Sequence, residues 1–406
     1  MSNFLVLGGV GIAIFVVALV ISIACHEWGH FFFARRFGMK ATEFFIGFGP
    51  RIWSFKRGET EYGFKVIPAG AYVRILGMTP LEELDPVDQP RAFWRAKPMQ
   101  RFLVLVAGSL THFVIGIVLL MVLMMGVGVP IKGQTLEMAR VSTCVPTSTA
   151  GGCEEGAAKS PAALGGIKPG DRVTAFEGRQ VTSWKQLTDQ LKARGGDRVT
   201  VTVERGGKTI DIPVTLATIT DSETGRRVGF LGVTAGERVE GYQTWSPGEA
   251  VVMTGQVFVR EIGLIFQTLV KIPGAIPQLF SPERGETQGG QVGSVVGAGR
   301  MAGSLFGSDE PTRAKASAMI DMLQGINVFI GVFNLLPLLP MDGGHIAVLF
   351  WERIKAFIAR KRGRPDPGPV DMTKLLPATY VVFILLVGLG VLLIAADIVN
   401  PLASPF

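Results

Sequence analysis

Long apolar runs dominate the pattern of the chain. Four runs, each close to the roughly 20 residues that a helix needs to cross a bilayer, cover residues 4–25, 102–128, 319–339 and 378–398. The third run is the weakest, because Pro337 and Pro340 interrupt it. The pattern predicts a polytopic α-helical membrane protein with about four transmembrane helices. The first run is predicted to be a helix of the mature protein, since residues 1–6 contain no Lys or Arg to open a signal peptide.

The period of the pattern changes between the second and third runs. Residues 197–204 and 209–216 alternate apolar and polar positions on either side of a glycine turn, which predicts a β-hairpin. Residues 184–193 have the spacing of an amphipathic helix. An inserted β-rich α+β domain is therefore expected in this part of the chain.

Apolar residues return to helical spacing over residues 247–280. Arg260, Glu261 and Lys271 are too close together in this segment for another membrane crossing. The segment predicts an amphipathic helix in the membrane interface, and a helix packed beneath the β-rich domain is the alternative.

Positive charge distinguishes the two sides of the membrane. Lys and Arg cluster between the first two apolar runs, from Arg35 to Arg101, and again between the last two, from Arg353 to Lys374. Such clusters are typical of cytoplasmic loops, so both termini and the inserted domain are predicted to lie outside. The formal net charge of +7 comes largely from these loops, and a nucleic-acid partner is not expected.

The first apolar run ends in the sequence HEWGH. His26 and His30 are four residues apart and project from one helix face, where two imidazoles can reach the same tetrahedral Zn2+. Glu27 is then placed to take a proton from a zinc-bound water. The motif predicts hydrolysis inside the membrane, toward its cytoplasmic side. The alternative is a pair of histidines that only stack on the helix.

A third protein ligand is expected, because catalytic zinc sites use three such ligands and a water. Asp342 is the candidate, since it follows Pro337 and Pro340 at the end of the third apolar run and precedes Gly343 and Gly344. A carboxylate at membrane depth is unfavourable unless it is paired or binds a metal. A broken helix is tolerated there only where protein or a cavity satisfies the backbone. The alternative role for Asp342 is a cap at a helix end.

Two cysteines of the predicted outer domain flank a segment rich in Gly, Ser and Thr. They are Cys144 and Cys153, nine positions apart. An oxidising compartment outside the cytoplasm favours a disulfide between them. We therefore predict that bond.

Part of the inserted domain resembles PDZ domains of bacterial proteases. The resemblance lies in residues 160–173, SPAALGGIKPGDRV. A later segment is similar to the PDZ loop whose backbone N–H groups capture a peptide C-terminus, and its residues are Gly229, Phe230, Leu231 and Gly232. Its late position implies a circularly permuted PDZ arrangement. An ordinary glycine turn that binds no peptide is the alternative.

HEWGH together with the later NLLPLLPMDGG resembles the site-2 proteases, which are zinc intramembrane metalloproteases. The resemblance extends from end to end of the chain. Residues 45–50, 57–62 and 67–73 are similar to that family's membrane-associated β-loop, which is thought to present an edge to an extended substrate. One PDZ domain between the second and third spans is similar to the bacterial branch that processes membrane-bound anti-sigma factors.

The resemblance implies a role for each matching residue. His26, His30 and Asp342 would bind Zn2+, Glu27 would act as base and then proton donor, and Asn334 would hold the substrate backbone. For Asn334, a helix-bending polar residue is the alternative.

One motif departs from the family pattern. Where the family has Gly-x-x-x-Asn, -Ser or -Gly in the second span, this chain has Gly108 and His112. Gly108 still permits close helix packing. His112 is expected to form a hydrogen bond between helices, and a second-shell role beside the zinc is the other possibility.

Together these features predict eight segments. They are transmembrane helix 1 with HExxH (1–37), the cytoplasmic-side β-loop (38–100), helix 2 (101–129), the extracytoplasmic PDZ domain (130–240), the interfacial helix and linker (241–316), helix 3 with the broken NxxPxxPxDG segment (317–350), a cytoplasmic loop (351–375) and helix 4 with the C-terminus (376–406).

The predicted function is intramembrane zinc proteolysis in the bacterial cytoplasmic membrane. The substrate would be a single-pass protein cut in or near its transmembrane segment, an anti-sigma factor trimmed beforehand by a site-1 protease. The PDZ domain would bind the new C-terminus or act as a size filter. A non-catalytic membrane PDZ scaffold is the first alternative, and a metal-ion transporter is the second.

Overall fold

The computed structural model describes residues 2–78, 82–149, 151, 153, 156–280, 284 and 292–402. Within these residues the chain forms two compact units. The first comprises residues 1–128, 244–270 and 293–406, and the second comprises residues 129–243 and 271–292.

The helices of the described residues are α1 (Ser2–Arg36), α2 (Pro98–Val122), α3 (Pro161–Gly165), α4 (Trp184–Lys192), α5 (Pro247–Ala275), α6 (Val295–Gly307), α7 (Thr312–Asn334), α8 (Asp342–Lys361) and α9 (Leu376–Val399). The strands are β1 (Ala41–Arg57), β2 (Thr60–Ile75), β3 (Val129–Val141), β4 (Arg172–Phe176), β5 (Arg179–Gln180), β6 (Arg198–Arg205), β7 (Lys208–Thr215), β8 (Ala217–Thr220), β9 (Arg227–Phe230) and β10 (Val233–Gln243).

Among the described residues of the first unit, four helical stretches are long and apolar enough to cross a membrane. They are Val6–Arg36, Pro98–Val127, Thr312–Asn334 and Met372–Val399. Their outer faces carry exposed apolar side chains, such as Phe383 and Leu385 of α9, which are 51% and 66% exposed. Lipid tails are as apolar as these side chains, so such a surface suits a bilayer. The chain is a multi-pass membrane protein, as its apolar runs predict.

Small residues bring α1 against α6. A Cβ added at Gly11 would lie 2.4 Å from the carbonyl oxygen of Ala302, so only glycine allows this approach. Phe15, which is fully buried, packs on Ala302, Leu305 and Met319. Helix α1 is thereby held within the first unit by contacts about three to four turns before the HEWGH motif.

The segment between α1 and α2 forms a long antiparallel hairpin of β1 and β2. Bulges fold the hairpin on itself, so that Phe44 pairs with both Tyr62 and Val73. The first half of β1 therefore lies between the two halves of β2. Phe31 of α1 and Ile75 of β2 share one buried apolar cluster, which fixes the hairpin against α1.

Residues 317–361 differ from the prediction. The sequence predicts one broken span over 317–350 and a loop from 351, but the structure has two helices, α7 and α8, and α8 continues to Lys361. Pro337 and Pro340 explain the separation, because neither can continue a helix. A buried ion pair of Arg101 with Glu352 (2.8 Å) ties α8 to α2.

A helix also forms inside the predicted linker 241–316. Helix α5 covers the helical pattern of 247–280, but α6 was not predicted, because its four glycines lower its helix propensity. Tertiary contacts compensate: the Ser294 side chain caps the first turn, and Ser294 N–H and Oγ–H both donate to Asp397 Oδ2 at 2.6 Å.

The second unit is built on an antiparallel sheet with strand order β10-β3-β4-β6-β7. The predicted hairpin is confirmed, with Val201 opposite Ile212 in the pairing of β6 with β7. The alternation buries Val199, Val201 and Val203 on one face, where Leu187 of α4 covers them. This unit has an apolar core of its own.

Two cross-links stabilise the second unit. A disulfide joins Cys144 and Cys153, whose Cα atoms are 5.8 Å apart. Arg205 donates from Nε and Nη2 to the two carboxylate oxygens of Asp171, each at 2.6 Å. The Arg205 guanidinium holds the pKa of the Asp171 carboxyl below its usual value.

Candidate metal centre

Three side chains of metal-binding type converge in the first unit. The Nε2 atoms of His26 and His30 are 3.1 Å apart, and each lies 3.4 Å from Asp342 Oδ2. Both histidines are more than nine-tenths buried. Two imidazoles and one carboxylate form the donor set of a catalytic zinc site, in which a fourth position is left for water.

An orphaned oxygen indicates that a cation belongs at this point. Asp342 Oδ2 is buried, and it accepts no hydrogen bond from the described residues. A carboxylate oxygen in that condition is strongly unfavourable within a membrane unless a positive charge joins it. The residues present therefore fit a divalent zinc ion.

The geometry of α1 directs the imidazoles of His26 and His30 toward one metal position. Residues four apart lie on one face of α1, and His30 Nδ1 donates to the Val104 carbonyl of α2 at 2.7 Å. A proton on Nδ1 leaves the Nε2 lone pair of His30 directed at the metal position. His26 has no such anchor, because its Nδ1 is buried without a partner among the described residues.

Glycines allow Asp342 to reach the histidines. Asp342 is the first residue of α8, and Gly343 and Gly344 follow it. A Cβ on Gly343 would lie 2.3 Å from the carbonyl carbon of Leu335, and one on Gly344 would lie 2.6 Å from the amide nitrogen of Leu339. The connection between α7 and α8 therefore folds tightly over the two glycines.

Two further glycines bring α1 and α2 together at the site. A Cβ on Gly108 would lie 2.4 Å from His30 Nε2 and 2.6 Å from His26 Nε2. A Cβ on Gly29 would lie 2.7 Å from the carbonyl oxygen of Ala107. The close packing expected at Gly108 is present, and it occurs directly at the metal-binding nitrogens.

Glu27 lies beside this centre and touches the hairpin. The backbone N–H of Val73 in β2 donates to Glu27 Oε2 at 3.1 Å. Val73 pairs with Phe44 on its other side, so the N–H that Glu27 accepts belongs to the free edge of β2. The sequence analysis identified Glu27 but could not identify its partner 46 residues away.

Comparison with known proteins gives the same chemistry. A family model described as peptidase family M50 matches residues 14–365. The chain belongs to peptidase family M50.

It is 38% identical over 405 residues to the zinc metalloprotease Rip1 of Mycobacterium tuberculosis, an alignment of 97% of this chain and 98% of the relative. It is 36% identical over 411 residues to Rip1 of Mycolicibacterium smegmatis, with the same coverage. It is 25% identical over 417 residues to the zinc metalloprotease RasP of Shouchella clausii, covering 84% of this chain and 90% of the relative.

Membership of the M50 family confirms the resemblance to site-2 proteases. The chain is a zinc metalloprotease, and Zn2+ is its cofactor. A non-catalytic scaffold and a metal-ion transporter, the two alternatives from the sequence, are thereby set aside.

Beside the three ligands of this M50 protease lies a second polar cluster, formed by Ser22, His112 and Asn327. His112 Nδ1 is 2.9 Å from Asn327 Oδ1 and 3.2 Å from Ser22 Oγ, and Ser22 Oγ–H also donates to Asn327 Oδ1. The hydrogen bond expected between helices at His112 is present. Sequence analysis missed Ser22 and Asn327, although a polar residue inside an apolar run is a signal for both.

The remaining predicted site residues are Asn334 in the first unit and residues 229–232 in the second. Asn334 is the last residue of α7 and is half-buried, and its side chain has no hydrogen-bond partner among the residues that the structure describes. In the second unit, Phe230 ends β9, and Leu231 is buried in the apolar core while its carbonyl accepts from Ala162 N–H at 2.8 Å. Gly229 is buried, and Gly232 has a φ of +89° that favours glycine.

Proposed function

We propose that this metalloprotease cuts its substrate within the membrane, in or near the transmembrane segment of a single-pass protein. The observation that carries the proposal is the position of His26 and His30 on the apolar stretch Val6–Arg36. A hydrolytic site placed within the membrane serves no purpose unless the peptide bond to be cut also lies within the membrane. The buried ligand set therefore favours a membrane-embedded peptide as substrate.

The roles of the residues follow from their positions. His26, His30 and Asp342 hold the zinc, which lowers the pKa of a bound water and polarises the peptide carbonyl when it is present. Glu27 takes the proton from the attacking water and passes it to the leaving amine. The Val73 N–H holds one Glu27 oxygen and leaves the other for that transfer.

The free edge of β2 suits an extended substrate. Because side chains and N–H groups alternate along a strand, an added peptide strand pairs with every second backbone group. Glu27 already accepts from one edge N–H, at Val73. A substrate strand paired there lies beside the catalytic carboxylate, and Asn334 at the end of α7 binds its backbone from another element.

The second unit is assigned as an extracytoplasmic PDZ domain. Its disulfide between Cys144 and Cys153 supports an oxidising compartment, and the positive clusters from Arg35 to Arg101 and from Arg353 to Lys374 support cytoplasmic loops on the other side. The location is then the bacterial cytoplasmic membrane. The substrate is an anti-sigma factor that another protease has trimmed, and the PDZ domain either binds the new C-terminus at residues 229–232 or filters by size.

The test compares wild type with Glu27→Gln for zinc content and for cleavage of a tagged, pre-trimmed single-pass substrate in detergent. Both proteins should hold about one zinc by the three-ligand rule. Cleavage by Glu27→Gln should fall by about 10²- to 10⁴-fold, because proton transfer is lost.

A matched control is Glu223→Gln, an exposed carboxylate of the second unit, which should cut at the wild-type rate. Equal cleavage by wild type and Glu27→Gln would remove Glu27 as the base. Cleavage of only the soluble part of the substrate would place the reaction outside the membrane.

A further inference from the structure

We propose that His112 is a positioning residue of the metal centre, which orients the His26 ring and is itself oriented by Asn327 and Ser22. The inference concerns the zinc site of this metalloprotease and does not depend on the proposed substrate.

The burial of the cluster requires a reason. Ser22, His112 and Asn327 are 4%, 1% and 2% exposed, and they come from the three apolar helices α1, α2 and α7. Polar side chains inside a membrane bundle are unfavourable relative to apolar ones, and where they occur they tend to mark functional sites. Fully satisfied hydrogen bonds also give such a cluster one fixed geometry.

The hydrogen bonds determine which nitrogen of His112 carries the proton. Asn327 Nδ2 donates to the Leu323 carbonyl at 2.8 Å, so the amide oxygen Oδ1 faces the other way and can only accept. His112 Nδ1 must therefore donate to Oδ1. The Ser22 hydroxyl donates to the same oxygen. The network therefore assigns a proton to His112 Nδ1 and fixes the orientation of the ring.

The same network places the ring beside the zinc ligands. His112 is four residues after Gly108, so both lie on one face of α2, and helical side chains lean towards the N-terminus, which is the direction of Gly108. Gly108 faces the Nε2 atoms of His26 and His30. The His112 and His26 rings are accordingly in contact, with centroids 5.0 Å apart and planes inclined by 42°.

The two zinc-binding histidines are unequally supported without this contact. His30 is oriented by its hydrogen bond to the Val104 carbonyl, whereas His26 Nδ1 has no partner among the described residues. Ligating histidines are normally oriented by such an outer partner. The fixed ring of His112 replaces that partner by packing on His26 and limiting its rotation.

The test uses full-length protein in detergent and the variants His112→Leu and Asn327→Leu. Zinc affinity is measured by competition with a chelator, and the geometry of the site by the visible absorption spectrum of the Co2+-substituted protein. We expect each variant to bind zinc about 10-fold more weakly, as for other outer partners of metal ligands, and to change the cobalt spectrum.

A double variant tests whether the residues act as one unit. Because Asn327 acts only through His112, the double variant should bind zinc no more weakly than His112→Leu alone. Gln324→Leu is the matched control: it removes a fully buried amide from the same helix, one turn earlier, where Gln324 donates to Glu261. It should keep the wild-type zinc affinity and spectrum.

Two results would overturn the proposal. One is wild-type zinc affinity and an unchanged cobalt spectrum in both single variants. The other is an equal loss in Gln324→Leu, which would show that any buried amide of α7 has this effect through folding alone.

Discussion

The two units bury opposite kinds of side chain. In the second unit, Val201 of β6 and Leu187 of α4 are fully buried, as in a protein that folds in water. In the first unit, Leu385 of α9 is 66% exposed, while His26 and Asn327 are 7% and 2% exposed. The difference comes from the solvent: water drives apolar side chains inward, but lipid does not.

The contrast indicates which buried positions serve function. Apolar burial in the second unit follows from stability and needs no other cause. Polar burial in the first unit is not favoured by the bilayer, so the buried polar groups there are the candidates for metal binding and catalysis. Changes to the two kinds of buried position should therefore have separate consequences, one on metal binding and the other on unfolding.

The largest effect is expected at Gly108. Gly108→Ala places a methyl group 2.4 Å from His30 Nε2, and the rings of His26 and His30 leave it no room. Zinc affinity should fall by more than about 100-fold, the upper range for changes next to a metal site, and cleavage should be lost. Zinc content and cleavage in detergent measure both.

The control for that change is Gly325→Ala on α7, where an added Cβ has nothing within 4 Å. This variant should keep its zinc. Full zinc binding by Gly108→Ala would contradict the close approach of α2 to the two histidines.

A smaller effect, confined to the second unit, is expected from Leu187→Ala. The change leaves a cavity in the apolar core and should lower the free energy of unfolding of this unit by about 3 kcal/mol. Amide hydrogen exchange in β6 should become faster, and its rate reports that free energy in the intact protein. Zinc content should stay at the wild-type level.

Leu385→Ala on α9 removes the same atoms from a lipid-facing position and should change neither quantity measurably. If it destabilised the protein as much as Leu187→Ala does, α9 would be covered by protein at that position, and the contrast between the units would be weaker.

The smallest effect is a pH dependence of the second unit. The Arg205 guanidinium lowers the pKa of Asp171 in the folded state, so the unfolded chain binds the proton more readily. The resulting stability is present above the ordinary pKa of an aspartate and is lost as pH falls through the folded value. The protection of β6 amides from hydrogen exchange, corrected for the intrinsic exchange rate at each pH, should therefore decrease as pH falls below about 4, the ordinary pKa of an aspartate.

Asp171→Asn should remove this acid-induced change and exchange faster than wild type at neutral pH. The loss should be smaller than that from Leu187→Ala. An unchanged acid response in the variant would assign the effect to other carboxylates of the unit.

Local patterns predicted much of this structure. Two of these patterns are short-range: the spacing of His26 and His30, and the alternation in β6 and β7. Both are present in the folded structure because tertiary packing agrees with the local pattern. Asp342 was found for a different reason, since a carboxylate in an apolar run is conspicuous wherever the chain folds.

Long-range pairs and weak local propensities could not be predicted. The contact of Val73 with Glu27 joins a strand to a helix, and that of Asn327 with His112 joins residues 215 positions apart. No local pattern records such pairs. Helix α6 was missed because its glycines disfavour a helix in isolation, while the same glycines permit its close packing on α1.

Gly29 and Gly108 have a mechanical consequence. Where α1 crosses α2, Gly29 faces the Ala107 backbone and the Thr111 hydroxyl, and Gly108 faces the His26 and His30 imidazoles, so the close packing leaves little room to absorb a displacement. A bilayer that is thinner or thicker than the spans changes helix tilt. Because both zinc-binding histidines lie on α1 and face Gly108 of α2, a tilt of α1 against α2 acts on their rings, and the thickness of the membrane thereby acts on the active site.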